Sequence, residues 1–229
     1  MTQAIKLGVV GAGAIGLTLA RVAVRCGHSV MVSNSRGTAT LQDAARAAGC
    51  AAGTVQDAAR FADVVILAIP FRAIGQLSPE WFSAKIVLDA NNYYPARDGR
   101  LPDLDRHACT TSGMLQAHLG AEARVVKFFN AIMQRDIETD ARPHGASPRR
   151  ALPIAGDNPD AKQVATDLVD QFGFDPVDAG TLEDSWRFER AMPAYCVAHE
   201  RAGLMAALAS AVRGVELPHG SWQKSPRFS

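Results

Sequence analysis

Apolar positions fall in short runs separated by glycine or polar turns, and the runs alternate between two periods. Ile5-Lys6-Leu7-Gly8-Val9-Val10 is a strand-length apolar run, and a glycine-rich turn follows it. Ile15 to Cys26 then repeats at helical spacing until Gly27 breaks it. Ser29-Val30-Met31-Val32-Ser33 reads as a second strand, with a helix from about Thr38 to Ala48 after it. This is a β-α-β unit whose strands should run parallel.

The alternation continues. Ala51 to Thr54 reads as a short strand, Val55 to Phe61 as a short helix, and Phe71 to Leu77 as one or two helical turns. Val64-Val65-Ile66-Leu67-Ala68-Ile69 and Lys85-Ile86-Val87-Leu88-Asp89 are continuous apolar runs of strand length. Such runs suit strands covered on both faces by helices. Ser112 to Leu119 reads as a helix capped by Ser112, and Arg124 to Phe129 as a strand. Beyond a polar linker at Asp140 to Arg150 come a strand (Ala151 to Ala155), a helix (Pro159 to Phe172) and a strand (Asp175 to Asp178). A last long helix is expected from Ala194 to Arg213, with a frayed tail from Ser221 to Ser229. The pattern predicts an α/β fold of Rossmann type, a doubly wound and mostly parallel sheet with a C-terminal α/β extension and terminal helix. Residues 1–145 are expected to form the dinucleotide-binding domain. Residues 146–229 are expected to complete an acceptor cleft and a dimer interface.

Gly11-Ala12-Gly13-Ala14-Ile15-Gly16 places GxGxxG between the first strand and the first helix. In that context Gly11 permits a tight turn, Gly13 leaves room for a pyrophosphate, and Gly16 lets helix and strands approach. Free N–H groups at the helix start would face the phosphates. The second strand ends in Ser33-Asn34-Ser35-Arg36-Gly37, with Asn34 eighteen residues beyond Gly16. No carboxylate appears there until Asp43. Small polar groups and a guanidinium fit a ribose 2′-phosphate, so NADP(H) is expected over NAD(H).

Composition then narrows the class. The chain has 229 residues, with 24 Lys+Arg against 23 Asp+Glu, a balance that argues against a basic nucleic-acid surface or a polybasic membrane patch. At 48% hydrophobic residues the chain is too apolar for disorder. No stretch reaches the roughly 18 consecutive apolar residues of a membrane span, and no signal peptide precedes the first strand, so a cytoplasmic location is expected. Cys26, Cys50, Cys109 and Cys196 are scattered and form no CxxC, which suits reduced thiols.

Three strand ends should converge near a nicotinamide. Ala68-Ile69-Pro70 either lines the nicotinamide ribose or simply stops a strand. Asn91-Asn92-Tyr93-Tyr94 offers many hydrogen bonds, for a ligand or for Asx turns. Lys127-Phe128-Phe129-Asn130 places Asn130 to orient a carboxamide or to cap. Lys127, Asn130 and Tyr94 are the candidates for chemistry, although Lys127 could equally form a salt bridge at the sheet rim. Tyr195 and His199, four apart on the expected last helix, would share a face. No Tyr-x-x-x-Lys pair, HExxH or G-x-S-x-G occurs, and no metal site is expected. Ketone or imine reduction normally needs a proton donor beside the hydride, whereas a flavin-like ring takes the hydride into its own conjugated system.

These motifs together resemble the NADPH-dependent reductases of the 8-hydroxy-5-deazaflavin coenzyme, bacterial branch. The resemblance rests on Gly11 to Gly16, Asn34 to Gly37, Ile69-Pro70-Phe71, Asp89 to Pro95 and Val126 to Asn130. It continues through Leu152 to Asp157, Gly173 to Gly180 and Pro193-Ala194-Tyr195. It implies that the Gly11 to Ile15 turn holds the pyrophosphate, that Ser35 and Arg36 hold the 2′-phosphate, and that Ile69-Pro70 passes close to the nicotinamide. It implies a deazaflavin or flavin-like co-substrate in a cleft completed by C-terminal residues, and a homodimer. The dinucleotide half also resembles pyrroline-5-carboxylate reductases and the reductase domain of membrane ferric reductases. Two other functions stay open. One is reduction of a small imine or carbonyl. The other is an NADP(H) sensor without turnover, in which the bulky Phe128 closes the acceptor cleft.

Overall fold

The computed structural model describes residues 4–224. The first half contains β1 (Lys6–Val10), α1 (Ala14–Arg25), β2 (Ser29–Ser33), α2 (Gln42–Ala48), β3 (Ala51–Gly53), α3 (Val55–Phe61), β4 (Val64–Leu67) and β5 (Ile86–Asp89). Two single-turn helices follow, α4 (Pro95–Asp98) and α5 (Pro102–Asp105), then α6 (Thr111–Leu119) and β6 (Arg124–Lys127). The remainder contains α7 (Asp136–Thr139), β7 (Ala151–Gly156), α8 (Pro159–Gln171), β8 (Asp175–Asp178) and α9 (Arg201–Ser210). All eight strands join one sheet in the order β3-β2-β1-β4-β5-β6-β7-β8. The order reverses between β1 and β4, where a doubly wound sheet opens a crevice at its carboxyl edge. Every pairing is parallel except β6 with β7. No helix among the described residues is long and apolar enough to cross a membrane.

The continuous apolar runs are explained by burial on both faces. Successive strand residues point to opposite sides. Ile66, Leu88 and Val126 pack on one face with Leu19 of α1 and Leu168 of α8. Val65, Val87 and Val125 pack on the other with Ala59 of α3 and Leu115 of α6. The first face is extended by a stack of phenylalanines. Phe128 and Phe129 have ring centroids 4.5 Å apart, and Phe129 lies 5.8 Å from Phe172 and 5.4 Å from Phe174.

The expected helix from Thr38 divides into a 3-10 turn at Thr38–Thr40 and α2, the fourth strand stops at Leu67 rather than Ile69, and three further boundary shifts have a visible reason. The sixth strand ends at Lys127 rather than Phe129, because Phe129 turns the chain at a φ of 49°. Thr110, not Ser112, caps α6: its Oγ1 accepts from Gly113 N at 2.9 Å, while the Ser112 hydroxyl donates to Asp89 at 2.6 Å. The last helix spans only Arg201–Ser210 instead of Ala194 to Arg213. Tertiary hydrogen bonds capture the segment before it. Cys196 N donates to Ala131 O at 3.2 Å, and Ala151 N donates to His199 O at 2.8 Å. Cys196 itself has a φ of 55°. Tyr195 and His199 therefore do not share a helical face. Of the expected frayed tail, Ser221–Lys224 form a short 3-10 turn, and residues 225–229 lie outside the described residues.

The four described cysteines are free. An ion-pair clamp ties α1 to α7: Glu138 accepts from Arg21 at 2.8 Å and from Arg25 at 2.5 Å. Those two guanidinia hold its carboxyl at about 2, against an ordinary 4.5. A carboxyl depressed by folding stabilises fully above its unfolded pKa and stops doing so as pH falls through its folded one. The clamp's contribution should therefore be lost between about pH 4.5 and 2. Urea melts across that window should show a steeper acid limb for the native chain than for Glu138→Gln.

Candidate functional site

A cleft of about 640 Å³ opens at the carboxyl ends of β1, β2 and β4. One wall is the turn after β1. Gly11 has a φ of 110°, and a Cβ there would stand 2.2 Å from the Ala68 carbonyl oxygen. A Cβ on Gly16 would stand 1.8 Å from the Gly11 carbonyl oxygen. Both positions therefore accept only glycine. Gly13 is different, because a Cβ there would meet nothing within 4 Å. Its missing side chain leaves open space where the backbone borders the cleft. Gly13 is also the N-cap of α1, with no side-chain cap and no acidic residue in the first turn. The first N–H groups of this 12-residue helix are left for an anion. Ala12 lines the cleft, while Ala14 and Ile15 open the helix beside it.

The second wall is the end of β2. Asn34, Ser35, Arg36 and Gly37 line the cleft. The Asn34 side chain shapes this loop by accepting from Arg36 N at 3.0 Å and donating to Thr40 Oγ1 at 3.2 Å. The Arg36 guanidinium is exposed and has no ion-pair or hydrogen-bond partner among the described residues. No carboxylate lines the cleft. Asp43, the first acid after the loop, is exposed and pairs with Arg46 at 3.3 Å. The donor set fits a pyrophosphate at the helix start and a 2′-phosphate at the strand end.

Ala68, Ile69 and Pro70 form the third wall. Asn91 stands behind it, 2% exposed, and its Oδ1 accepts from Ile69 N at 2.7 Å. Its Nδ2 is buried without a partner among the described residues. Asn130 does not line the cleft. Its Nδ2 donates to Phe188 O at 2.9 Å and Asn92 Oδ1 at 3.2 Å, and its Oδ1 is a second buried orphan. Thr54, Gln56, Gln76 and Trp81 complete the cleft, and the sequence reading missed them. Thr54 carried a local signal, the capping box with Asp57 that starts α3. The others arrive by tertiary folding of irregular turns.

Lys127 forms a salt bridge at the end of β6, one that is buried rather than exposed at a rim. Its side chain and that of Asp89 are both 0% exposed, and their charges meet at 3.0 Å. Lys127 Nζ also donates to Asn91 O at 2.6 Å and Thr111 Oγ1 at 2.8 Å, so all three protons are used. Asp89 accepts from Ser112 Oγ at 2.6 Å and from Asn91 N at 2.9 Å. Thr111 in turn donates its N–H and its hydroxyl to Glu189, at 2.7 and 2.5 Å. Phe128 is likewise 0% exposed and sits in the phenylalanine stack, so it does not close a cleft.

Tyr94 does find a chemical partner. Its hydroxyl lies 2.5 Å from that of Tyr195, and the Arg97 guanidinium stands 4.7 Å over its ring. Burial pushes the Tyr195 phenol well above its usual range, so it stays protonated. Burial also pushes the Cys196 thiol up to about 12, which keeps it from being a thiolate nucleophile.

Residues 6–93, which hold most of the cleft, match the family model for "NADP oxidoreductase coenzyme F420-dependent". A Sinorhizobium meliloti protein of known structure is 30% identical, with a TM-score of 0.71, over 87% of this chain and 96% of that one. The chain belongs to this NADP oxidoreductase family. The Escherichia coli (strain K12) protein YjhV is 38% identical over 78 residues, 34% of this chain. That match spans only 57% of the relative's own length. A structure from Arthrobacter sp. FB24, named as a candidate F420 dependent NADP-reductase, shares the fold. It has a TM-score of 0.67 at 23% identity, over 80% of this chain and 87% of that one.

Two outcomes test the site. Arg36→Ala should weaken NADPH binding by about 10- to 100-fold, the loss expected for charge-assisted hydrogen bonds, and leave NADH nearly unchanged. Titration of both nucleotides by fluorescence checks this, and equal weakening would contradict the 2′-phosphate assignment. Lys127→Met should cost about 3–5 kcal/mol in urea unfolding, because it strands the buried Asp89 charge. The double variant Lys127→Met/Asp89→Leu should recover part of that loss.

Proposed function

We propose that this chain is an NADPH-dependent oxidoreductase that passes hydride to a flat, conjugated acceptor of the flavin or deazaflavin class. NADPH, when bound, supplies the hydride. The turn from Gly11 to Ile15 holds its pyrophosphate, while Ser35 and Arg36 hold its 2′-phosphate. The Ile69-Pro70 wall, held in place by the bond from Ile69 N to Asn91 Oδ1, orients the nicotinamide. The observation that carries the acceptor class is the complete use of Lys127. Its three protons are spent on Asp89, Asn91 and Thr111, so the one lysine expected at this edge cannot protonate a substrate. An acceptor that stores the hydride in its own ring needs mainly orientation from the protein.

A second reading has one observation in its favour. The Tyr94–Tyr195 contact at 2.5 Å is a phenol pair able to pass a proton to a small imine or carbonyl. One experiment separates the two. Oxidation of NADPH is followed at 340 nm with FMN, a deazaflavin and a set of cyclic imines, for the native chain and Tyr94→Phe. The leading reading expects turnover with the ring acceptors and little effect of Tyr94→Phe. Turnover of imines alone, falling by about 10²–10⁴ in Tyr94→Phe, would establish the second.

A further inference from the structure

A second cleft, of about 350 Å³, shares no lining residue with the dinucleotide cleft. It lies between the stretch that follows β5 and residues 186–216. That volume is at the small end of ligand pockets and suits a compact metabolite. Leu104, Trp186 and Met192 give it an apolar wall.

Its lining carries Arg100, Arg190 and Arg213 with Asp105, Glu189 and Glu216, and two of the arginines are held by close ion pairs, one of them to Glu183 outside the lining. Arg100 meets Asp105 at 2.9 Å, and Arg213 meets Glu183 at 2.6 Å. Two neighbouring residues keep spare capacity. Glu189 takes both bonds from Thr111 on Oε1, and its Oε2 has no hydrogen-bond partner among the described residues. Arg190 reaches Glu216 only at 3.5 Å and the His219 ring nitrogen at 3.3 Å. A simple anion on Arg190 would face the Glu189 and Glu216 charges, and a simple cation on Glu189 would face Arg190. A molecule bearing both charges meets Glu189 with its cation, and its anion takes up the loosely held Arg190.

We propose that this second cleft binds a small zwitterion of the amino-acid class, with its carboxylate on Arg190 and its ammonium on Glu189. Its apolar side chain lies against Trp186 and Met192. The proposal does not depend on which hydride acceptor the enzyme uses, because the site is built from different residues.

The full chain is titrated by calorimetry with the twenty common L-amino acids. The tightest binder is then compared with its amide, which lacks the carboxylate, and with its deaminated acid, which lacks the ammonium. The amino acid should bind about tenfold or more tightly than either counterpart, as expected when one charge-assisted contact is lost. Arg190→Gln should bring the amino acid down to the level of its amide while NADPH affinity stays unchanged. The comparison among the three probes on the native chain stands even if that variant fails to fold. No binding by any amino acid, or equal binding by the three forms, overturns the proposal.

Discussion

The Lys127–Asp89 pair holds the carboxyl edge of the sheet in place. Neighbouring strands β5 and β6 end in opposite charges that no water reaches, and each charge needs the other. From that pair, hydrogen bonds reach the Asn91 backbone and, through the Asn91 side chain, the Ile69 wall of the dinucleotide cleft. In the other direction they reach Thr111 and Glu189, which draws the segment after β8 onto the edge. A single buried interaction thus fixes one wall of the first cleft and one wall of the second.

The geometry around this edge divides the labour. Backbone dominates the turn from β1 into α1, where glycines clear space and a helix start offers N–H groups. Side-chain charge enters the cleft at Arg36. Farther along the edge, amides and phenols replace exposed charge, and Lys127 is consumed by its buried bonds. That gradient, from exposed cation to neutral polar groups, suits a cofactor anionic at one end and a reaction that moves a hydride at the other.

Local features were legible in the sequence, and distant pairings were not. Gly11, Gly13 and Gly16 announce their turn because each answers a constraint within a few residues. Asn34 to Arg36 can be read the same way from their place after a strand. Lys127 looked available because Asp89 lies 38 residues earlier and only the parallel register of β5 and β6 brings them together. Ser112 and Thr110 are both good caps, and the claim of Asp89 on the Ser112 hydroxyl decides between them. The apolar spacing from Ala194 onward does resemble a helix, but contacts to Ala131 and Ala151 outcompete local propensity as far as Glu200.

The antiparallel junction of β6 and β7 has a consequence for how such a chain can diversify. It consists of two register pairs, Val126 with Gly156 and Lys127 with Ala155. Because β7 runs antiparallel, its amino end at Ala151 projects past Lys127, the last residue of β6. The seam is narrow, and the six strands before it are paired among themselves. The join is carried instead by packing, because Leu168 of α8 and Phe172 and Phe174 beyond it meet Leu19, Phe128 and Phe129 in one core. A block joined in this way can vary on its exposed side, while the side that meets the phenylalanine stack is held to one shape by the core.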